Sequence, residues 1–228
     1  MDLEDLRAFE ADTAGLVPGF QLGWKDQSKM QKLLGWVMKP FNPEYLTKYT
    51  TTFSPKVWFP TQTFYEGNPT HSFVILAHER VHLLDTKVSP LWFRFSYIAP
   101  QVLAIPLLLL GAALAFFVGW WSLIAFGLGL VCLGPWPAPG RVHWEKRGYA
   151  MSMAATFWLT GSIPSATRDS IRKQFLGKAY YFMAWGPALL DDWLDQTERS
   201  IRNGTLAGGD EAYGAVLRFL RSRGKTTA

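Results

Sequence analysis

The sequence predicts a mainly helical fold with a small β element, of the α+β class, into which an apolar helical hairpin is inserted. Apolar residues recur at helical spacing in several segments. Two short runs of β-branched and aromatic residues lie among prolines between residues 49 and 59. No charged residue occurs between Arg94 and Arg141. With 228 residues, 49% of them hydrophobic, the chain can form one domain with a substantial core.

The N-terminal region, residues 1–97, should contain three helices and two strands. Each helix is expected where apolar side chains are three or four residues apart, and each strand where prolines bound a β-branched run. The third helix should have Thr70 or Ser72 as its N-cap and end before Ser89-Pro90. In chain order these elements are a helix over 2–14, a helix over 27–38, strands over 49–53 and 56–59, and a helix from about 70 to 88.

Residues 98–134 are predicted to form a transmembrane or re-entrant hairpin, with both ends on the same side. Gly119-Trp120-Trp121-Ser122 interrupts the apolar run and separates helices over 98–118 and 121–134. At 1.5 Å per residue these reach about 31 Å and 20 Å, against a hydrocarbon core of about 30 Å. Lysine and arginine residues flank the base, which should therefore face the cytoplasm. A buried hairpin in a soluble or oligomeric assembly is the alternative.

The C-terminal region, residues 141–228, should be helical. Helix boundaries follow from Pro187, which suits a first turn, and from Asn203-Gly204, which suits a helix end. The aromatic run 180–185 could line a pocket or pack in the core. The expected helices cover 142–159, 165–178, 187–202 and 210–222.

His78-Glu79-Arg80-Val81-His82 has the pattern H-E-x-x-H. On a helix, His78 and His82 project from one face and can both offer imidazole nitrogens to one Zn²⁺. Glu79 lies close enough to take a proton from a water on that metal. The motif therefore predicts a catalytic zinc site, and the alternative is an ordinary amphipathic helix with two hydrogen-bonded histidines.

Catalytic zinc normally has three protein ligands, so a third is needed. Glu145 is the candidate, because the hairpin returns the chain to the side it left. A helix over 142–159 would place Glu145, Gly148 and Tyr149 on one face, and Gly148 would permit a close approach to the motif helix. His143 could replace Glu145 or donate a hydrogen bond to the oxyanion of a tetrahedral intermediate, as could Tyr149. Asp85 could orient an imidazole or simply be an exposed helix-terminal acid.

An H-E-x-x-H motif, then an apolar hairpin, then a helix bearing a glutamate resembles the integral-membrane gluzincins, the HtpX-type and CAAX-processing metallopeptidases. The resemblance covers about residues 71–155. It implies a zincin-like core in which His78, His82 and Glu145 bind zinc and Glu79 is the general base. In zincins an edge strand before the motif helix holds the substrate, and the resemblance makes strand 56–59 the candidate. The favoured alternative is that strands 49–53 and 56–59 form a simple hairpin covering the core.

The expected function is that of a membrane-associated zinc metallopeptidase acting on a peptide or protein substrate, with its catalytic side cytoplasmic. The alternative is a membrane-inserting structural or assembly component, for example of a phage particle, with a structural or vestigial zinc site. The net charge of +5 is modest and no nucleic-acid-binding motif is present, so no nucleic-acid partner is expected. The single cysteine, Cys132, excludes an internal disulfide.

Overall fold

The computed structural model describes residues 1–40, 42–134, 136–177, 183–184 and 186–227. Most of these residues are helical and three short strands form one sheet, which agrees with the predicted α+β class. Most of the aromatic run 180–185 lies outside the described residues. The helices are α1 (Leu3–Leu16), α2 (Lys29–Met38), α3 (Gln62–Gly67), α4 (Pro69–Val88), α5 (Pro90–Ile98), α6 (Ala104–Val118), α7 (Ser122–Cys132), α8 (Pro139–Thr160), α9 (Ser165–Leu176), α10 (Pro187–Arg202), α11 (Thr205–Gly209) and α12 (Glu211–Ser222).

The motif helix α4 begins one residue earlier than the sequence predicted. Its N-cap is Asn68, whose side-chain oxygen accepts a hydrogen bond from the backbone N–H of His71. Pro69 occupies the first turn, where its missing N–H costs nothing. The prediction of Thr70 or Ser72 as the cap is therefore wrong, because the Asn-Pro pair already supplies the cap and the first helical residue.

The strands are β1 (Gln21–Trp24), β2 (Thr51–Phe53) and β3 (Lys56–Phe59), and their order in the sheet is β1-β3-β2. β1 runs parallel to β3, with Gln21 opposite Lys56, and β2 runs antiparallel to β3, with Thr51 opposite Trp58. The expectation that residues 56–59 form an edge strand is wrong, because β1, which the sequence did not reveal, pairs with their other side. The strand at the edge of the sheet beside α4 is β2.

Helices α4 and α8 pack against each other at the centre of the fold. Leu76 and Val81 of α4 and Met151 and Ala154 of α8 are fully buried in one hydrophobic core. The residues of this core come from within 1–97 and 142–227, and no hairpin residue belongs to it. The two regions on either side of the hairpin therefore fold together, which places the two ligand-bearing helices side by side.

The apolar run forms a hairpin of α6 and α7, which pack closely on each other. Gly119 has a φ of 58°, and a Cβ on Gly111 would lie 2.7 Å from the backbone nitrogen of Phe126. The first arm is shorter than the predicted 98–118, because α5 ends at Ile98 and Pro100 separates it from the next helical turn. With 15 and 11 residues, the arms are about 22 Å and 16 Å long.

The hairpin is exposed to solvent along most of its length. Residues 101–132 include both arms and the turn. Taken together, they are the one helical stretch within the described ranges that is long and apolar enough to cross a membrane. Of its most apolar window, 11% is buried. Phe116 and Phe117, near the turn, are 88% and 85% exposed. Large apolar side chains in water are unfavourable, so this surface favours contact with a membrane or another protein.

Candidate metal centre

His78 and His82 of α4 meet Glu145 of α8 in a buried group that could hold a metal ion. These three residues are called here the metal group. The two histidine Nε2 atoms are 3.0 Å apart. Oε2 of Glu145 lies 3.5 Å from Nε2 of His78, and its Oε1 lies 4.0 Å from Nε2 of His82. The structure therefore brings together the three residues that the sequence selected as ligands.

Two of these distances suit a tetrahedral cation. Donor atoms bonded to zinc at about 2.0–2.1 Å in tetrahedral geometry are about 3.3 Å apart. The two histidine nitrogens, at 3.0 Å, and the pair of His78 and Glu145, at 3.5 Å, lie near this value, whereas Glu145 is farther from His82. Oε2 of Glu145 and Nδ1 of His82 are buried and have no hydrogen-bond partner among the described residues. Because an unpartnered buried polar atom is costly, the free carboxylate oxygen indicates a place for a cation.

The protonation of two of the three ligands favours metal binding. Burial, together with the charge of His78, lowers the pKa of His82 to about 4, so its imidazole is neutral near pH 7. Burial raises the pKa of Glu145, but the close His78 imidazole and the charge of His82 outweigh it and lower the pKa to about 2. Neutral imidazole and ionised carboxylate are the forms that bind metals.

The pKa of His78 is raised, whereas those of His82 and Glu145 are lowered. Burial lowers the pKa of His78, but the close Glu145 carboxylate and the charge of Glu79 outweigh burial and raise it. A cation bound at this imidazole must compete with a proton, so metal binding should release protons.

Two neighbours hold the ligands in place, and the sequence predicted neither. The Tyr97 hydroxyl of α5 donates a hydrogen bond to Oε1 of Glu145, while Oε2 faces His78. Oγ of Ser152 lies 3.1 Å from Nδ1 of His78. Ser152 is seven residues after Glu145 and shares its face of α8, so helical spacing could have found it. Nothing in the sequence connects Tyr97 with Glu145.

Glu79 is buried beside the metal ligands and has a partner from the sheet. The Thr52 hydroxyl of β2 donates a hydrogen bond of 2.6 Å to Oε2 of Glu79. Burial raises the pKa of this carboxyl group, although the charge of His78 and the Thr52 hydrogen bond act against the shift. Edge strand β2 thus fixes the orientation of the motif glutamate.

Gly148 allows α8 to lie directly against the first histidine, as the sequence predicted. A Cβ at this position would be 2.5 Å from Nε2 of His78, far closer than an ordinary contact. Since Gly148 is one turn after Glu145, the same close approach brings the carboxylate within reach of both imidazoles.

The other candidates from the sequence have different positions. The Tyr149 ring packs edge-on against His78, with 4.7 Å between the ring centres. His143 is exposed and packs against Trp144, so the structure does not bring it to the metal group. Asp85 does not orient an imidazole. It forms a bidentate ion pair with Arg147, with oxygen–nitrogen distances near 3.0 Å.

Two cavities meet at the metal group, and His78 and Glu79 line both. The first, about 1070 Å³, is called here the hydroxyl-lined cavity, and it is bordered by hydroxyl side chains of α8 and α9 that include Thr156 and Thr167. The second, about 640 Å³, is called the hairpin-side cavity. Its lining includes Leu34 and Met38 of α2, residues 50–54 around β2, and Phe93, Tyr97 and Ile98 of α5.

We found no family model, curated protein or solved structure that matches this chain.

Proposed function

We propose that this protein is a membrane-associated zinc metallopeptidase with a gluzincin-type site in a zincin-like core. The observation that carries the proposal is the buried convergence of His78, His82 and Glu145. Glu79 lies beside them, at the junction of two cavities large enough to admit a peptide. Two imidazoles and one carboxylate leave a fourth tetrahedral position for water or substrate, as catalytic zinc requires.

A zinc ion at these ligands would supply a Lewis acid that lowers the pKa of a water and polarises a substrate carbonyl. Glu79 would accept the proton of the attacking water and pass it to the leaving amine. Its raised pKa suits this work, because a general base is most effective when its pKa approaches the working pH. Thr52 would hold the carboxylate in position, and Tyr97 would do the same for Glu145.

The edge strand β2 is the proposed site for the substrate backbone. Residues 50–54 line the hairpin-side cavity together with the motif residues, so an extended peptide beside β2 would pass the metal. Addition of a peptide to a sheet edge provides backbone hydrogen bonds without requiring a particular sequence. Tyr149, in the wall of the hydroxyl-lined cavity, is the proposed donor to the oxyanion.

The hairpin is the proposed membrane anchor. Its arms, of about 22 Å and 16 Å, are each shorter than the hydrocarbon core of about 30 Å. We therefore favour a re-entrant hairpin that enters the bilayer from one side. Arg94 and Arg141 at its base favour the cytoplasmic side, and the metal site would lie on that side as well.

The test of the peptidase proposal is Glu79→Gln, compared with Glu4→Gln at an exposed position on α1. Removing a general base should reduce cleavage of a generic fluorogenic peptide by about 10²–10⁴-fold. Both variants should retain about one zinc per chain, as measured by mass spectrometry of the metal, since Glu79 is not a ligand. Equal cleavage by Glu79→Gln and Glu4→Gln would refute the proposal.

The exposed hairpin, which lies outside the core, supports a second candidate, a membrane-inserting structural or assembly component. In that case the metal group would stabilise the packing of α4 on α8 without catalysis. Zinc-loaded protein would then bind vesicles and lose stability with a chelator, but would cleave no peptide at any pH.

A further inference from the structure

Helix α2 exposes an apolar face that nothing in the described part of the chain covers. Met30, Leu33, Trp36 and Val37 are each more than half exposed, while Gln31 and Gly35 on the opposite face are buried. Lys32 and Lys39 are exposed beside this face, and Lys29 is exposed at its N-terminal end. An amphipathic helix with an apolar stripe, a tryptophan and flanking lysines is typical of helices that lie in the interface of an anionic membrane.

The exposed face of α2 continues from the wall of the hairpin-side cavity. At about 100° per residue, Leu34 and Met38 project between the buried side of the helix and the side that carries Met30 and Val37. Leu34 and Met38 line the cavity. The exposed apolar stripe therefore begins where the cavity wall ends.

Helix α5 lines the same cavity and repeats this arrangement. Phe93, Tyr97 and Ile98 line the hairpin-side cavity. Leu91 and Phe95 follow around the helix and are exposed. Because α5 leads into the hairpin after a few residues, its exposed face is continuous with the surface proposed to enter the membrane.

We propose that α2 and α5 both contact the surface of an anionic bilayer, so that the mouth of the hairpin-side cavity opens among lipid headgroups. The positive charges of the α2 lysines complement the anionic headgroups of such a surface. The hairpin then acts as the deep anchor and α2 as the shallow one. Where the proposed peptidase function also holds, the substrates are peptide segments at the point where they leave the membrane.

The test places a polarity-sensitive fluorophore on α2. The native thiol is removed by Cys132→Ser, and Leu33→Cys is labelled with a nitrobenzoxadiazole group in the full-length protein. Leu189→Cys on α10 is the matched control, since Leu33 and Leu189 are 63% and 70% exposed. Both proteins are reconstituted into vesicles of phosphatidylcholine and phosphatidylglycerol, and circular dichroism verifies that each is folded.

The label at position 33 should emit at shorter wavelength than the label at 189, and spin-labelled lipid should quench it at least threefold more strongly. Equal emission and quenching at both positions would overturn the proposal. A blue shift without lipid quenching would also overturn it, because it would mean that protein covers α2. Zinc content and peptide cleavage are measured on the same samples, so a failed peptidase assay is distinguishable from a failed membrane contact.

Discussion

Gly148→Ala should damage the metal site more than any other substitution that adds only a methyl group. The new Cβ would be 2.5 Å from Nε2 of His78, about 0.9 Å short of the 3.4 Å at which ordinary contacts begin. Nε2 is the atom proposed to bind zinc, and metal sites tolerate distance errors of only about 0.2 Å. The His78 ring or α8 must therefore move by more than the site allows.

We expect zinc affinity to fall about 10–100-fold, as it does when the partners that orient a ligand are lost. This corresponds to about 1.4–2.8 kcal/mol of binding free energy. Overpacking should also lower the free energy of unfolding by about 1–3 kcal/mol. Competition with a chromophoric chelator measures the affinity, and denaturant unfolding in excess chelator measures stability without metal.

Gly15→Ala is the matched control, because Gly15 is also helical and a Cβ there would meet nothing within 4 Å. It should leave zinc affinity unchanged and, if anything, stabilise α1 by up to about 1 kcal/mol. If Gly148→Ala binds zinc within twofold of the wild type, the proposed approach of α8 to His78 is incorrect.

Three further predictions concern residues around the site. Thr52→Val removes the hydrogen bond to Glu79, so steady-state kinetics should show kcat lowered about tenfold or more at similar KM, and an unchanged kcat would exclude a positioning role. Asp85→Asn breaks the bidentate ion pair with Arg147. The free energy of unfolding should fall by about 1–3 kcal/mol, and calorimetry should show Tm lowered by several degrees. An unaltered Tm would show that the pair contributes nothing to stability. Burial lowers the pKa of Lys25 to about 7, below its value in the unfolded chain. The contribution of Lys25 to the free energy of unfolding should therefore improve as pH rises from about 7 to 10. In urea titrations, stability should rise less with pH for Lys25→Met than for the wild type, and parallel curves would contradict the assignment.

The group formed by His78, His82 and Glu145 could be predicted because local rules determine the placement of these residues. The i, i+4 spacing of His78 and His82 puts both on one face of any helix, whatever surrounds it. The hairpin returns the chain to its starting side, so Glu145 could be expected nearby. Gly148 was recognisable because a residue without a side chain, one turn after the candidate ligand, suggests close packing of helices.

The partners of these ligands could not be predicted, because they come from other elements. Thr52 reaches Glu79 only because β2 lies at the sheet edge beside α4. The sequence did not reveal this order, because β1, on the other side of β3, is a strand of four residues with little sequence signal. Tyr97 reaches Glu145 only because Pro90 and Pro100 delimit α5 as a separate helix. The spacing of apolar residues predicts whether a segment is a helix or a strand. The contacts of Thr52 and Tyr97 with the glutamates depend instead on how separate elements pack together.

For the hairpin, the sequence predicted its presence but not the length of its first arm. The absence of charge between Arg94 and Arg141 predicted an apolar hairpin, and the structure contains one. The expected first arm over 98–118 was too long, because the uncharged run also includes the end of α5 and the short turn after it. Hydropathy alone did not distinguish these segments, since all of them are apolar.

We propose that His78, His82 and Glu145 bind one zinc ion together. Zinc-edge X-ray absorption on the purified protein and on Glu145→Ala tests it directly. The wild type should show about one zinc per chain, with two imidazoles and oxygen ligands at about 2.0–2.1 Å, and the variant should lose the metal or show an altered first shell. A wild type that binds no zinc, or a zinc environment identical in both proteins, would contradict the claim.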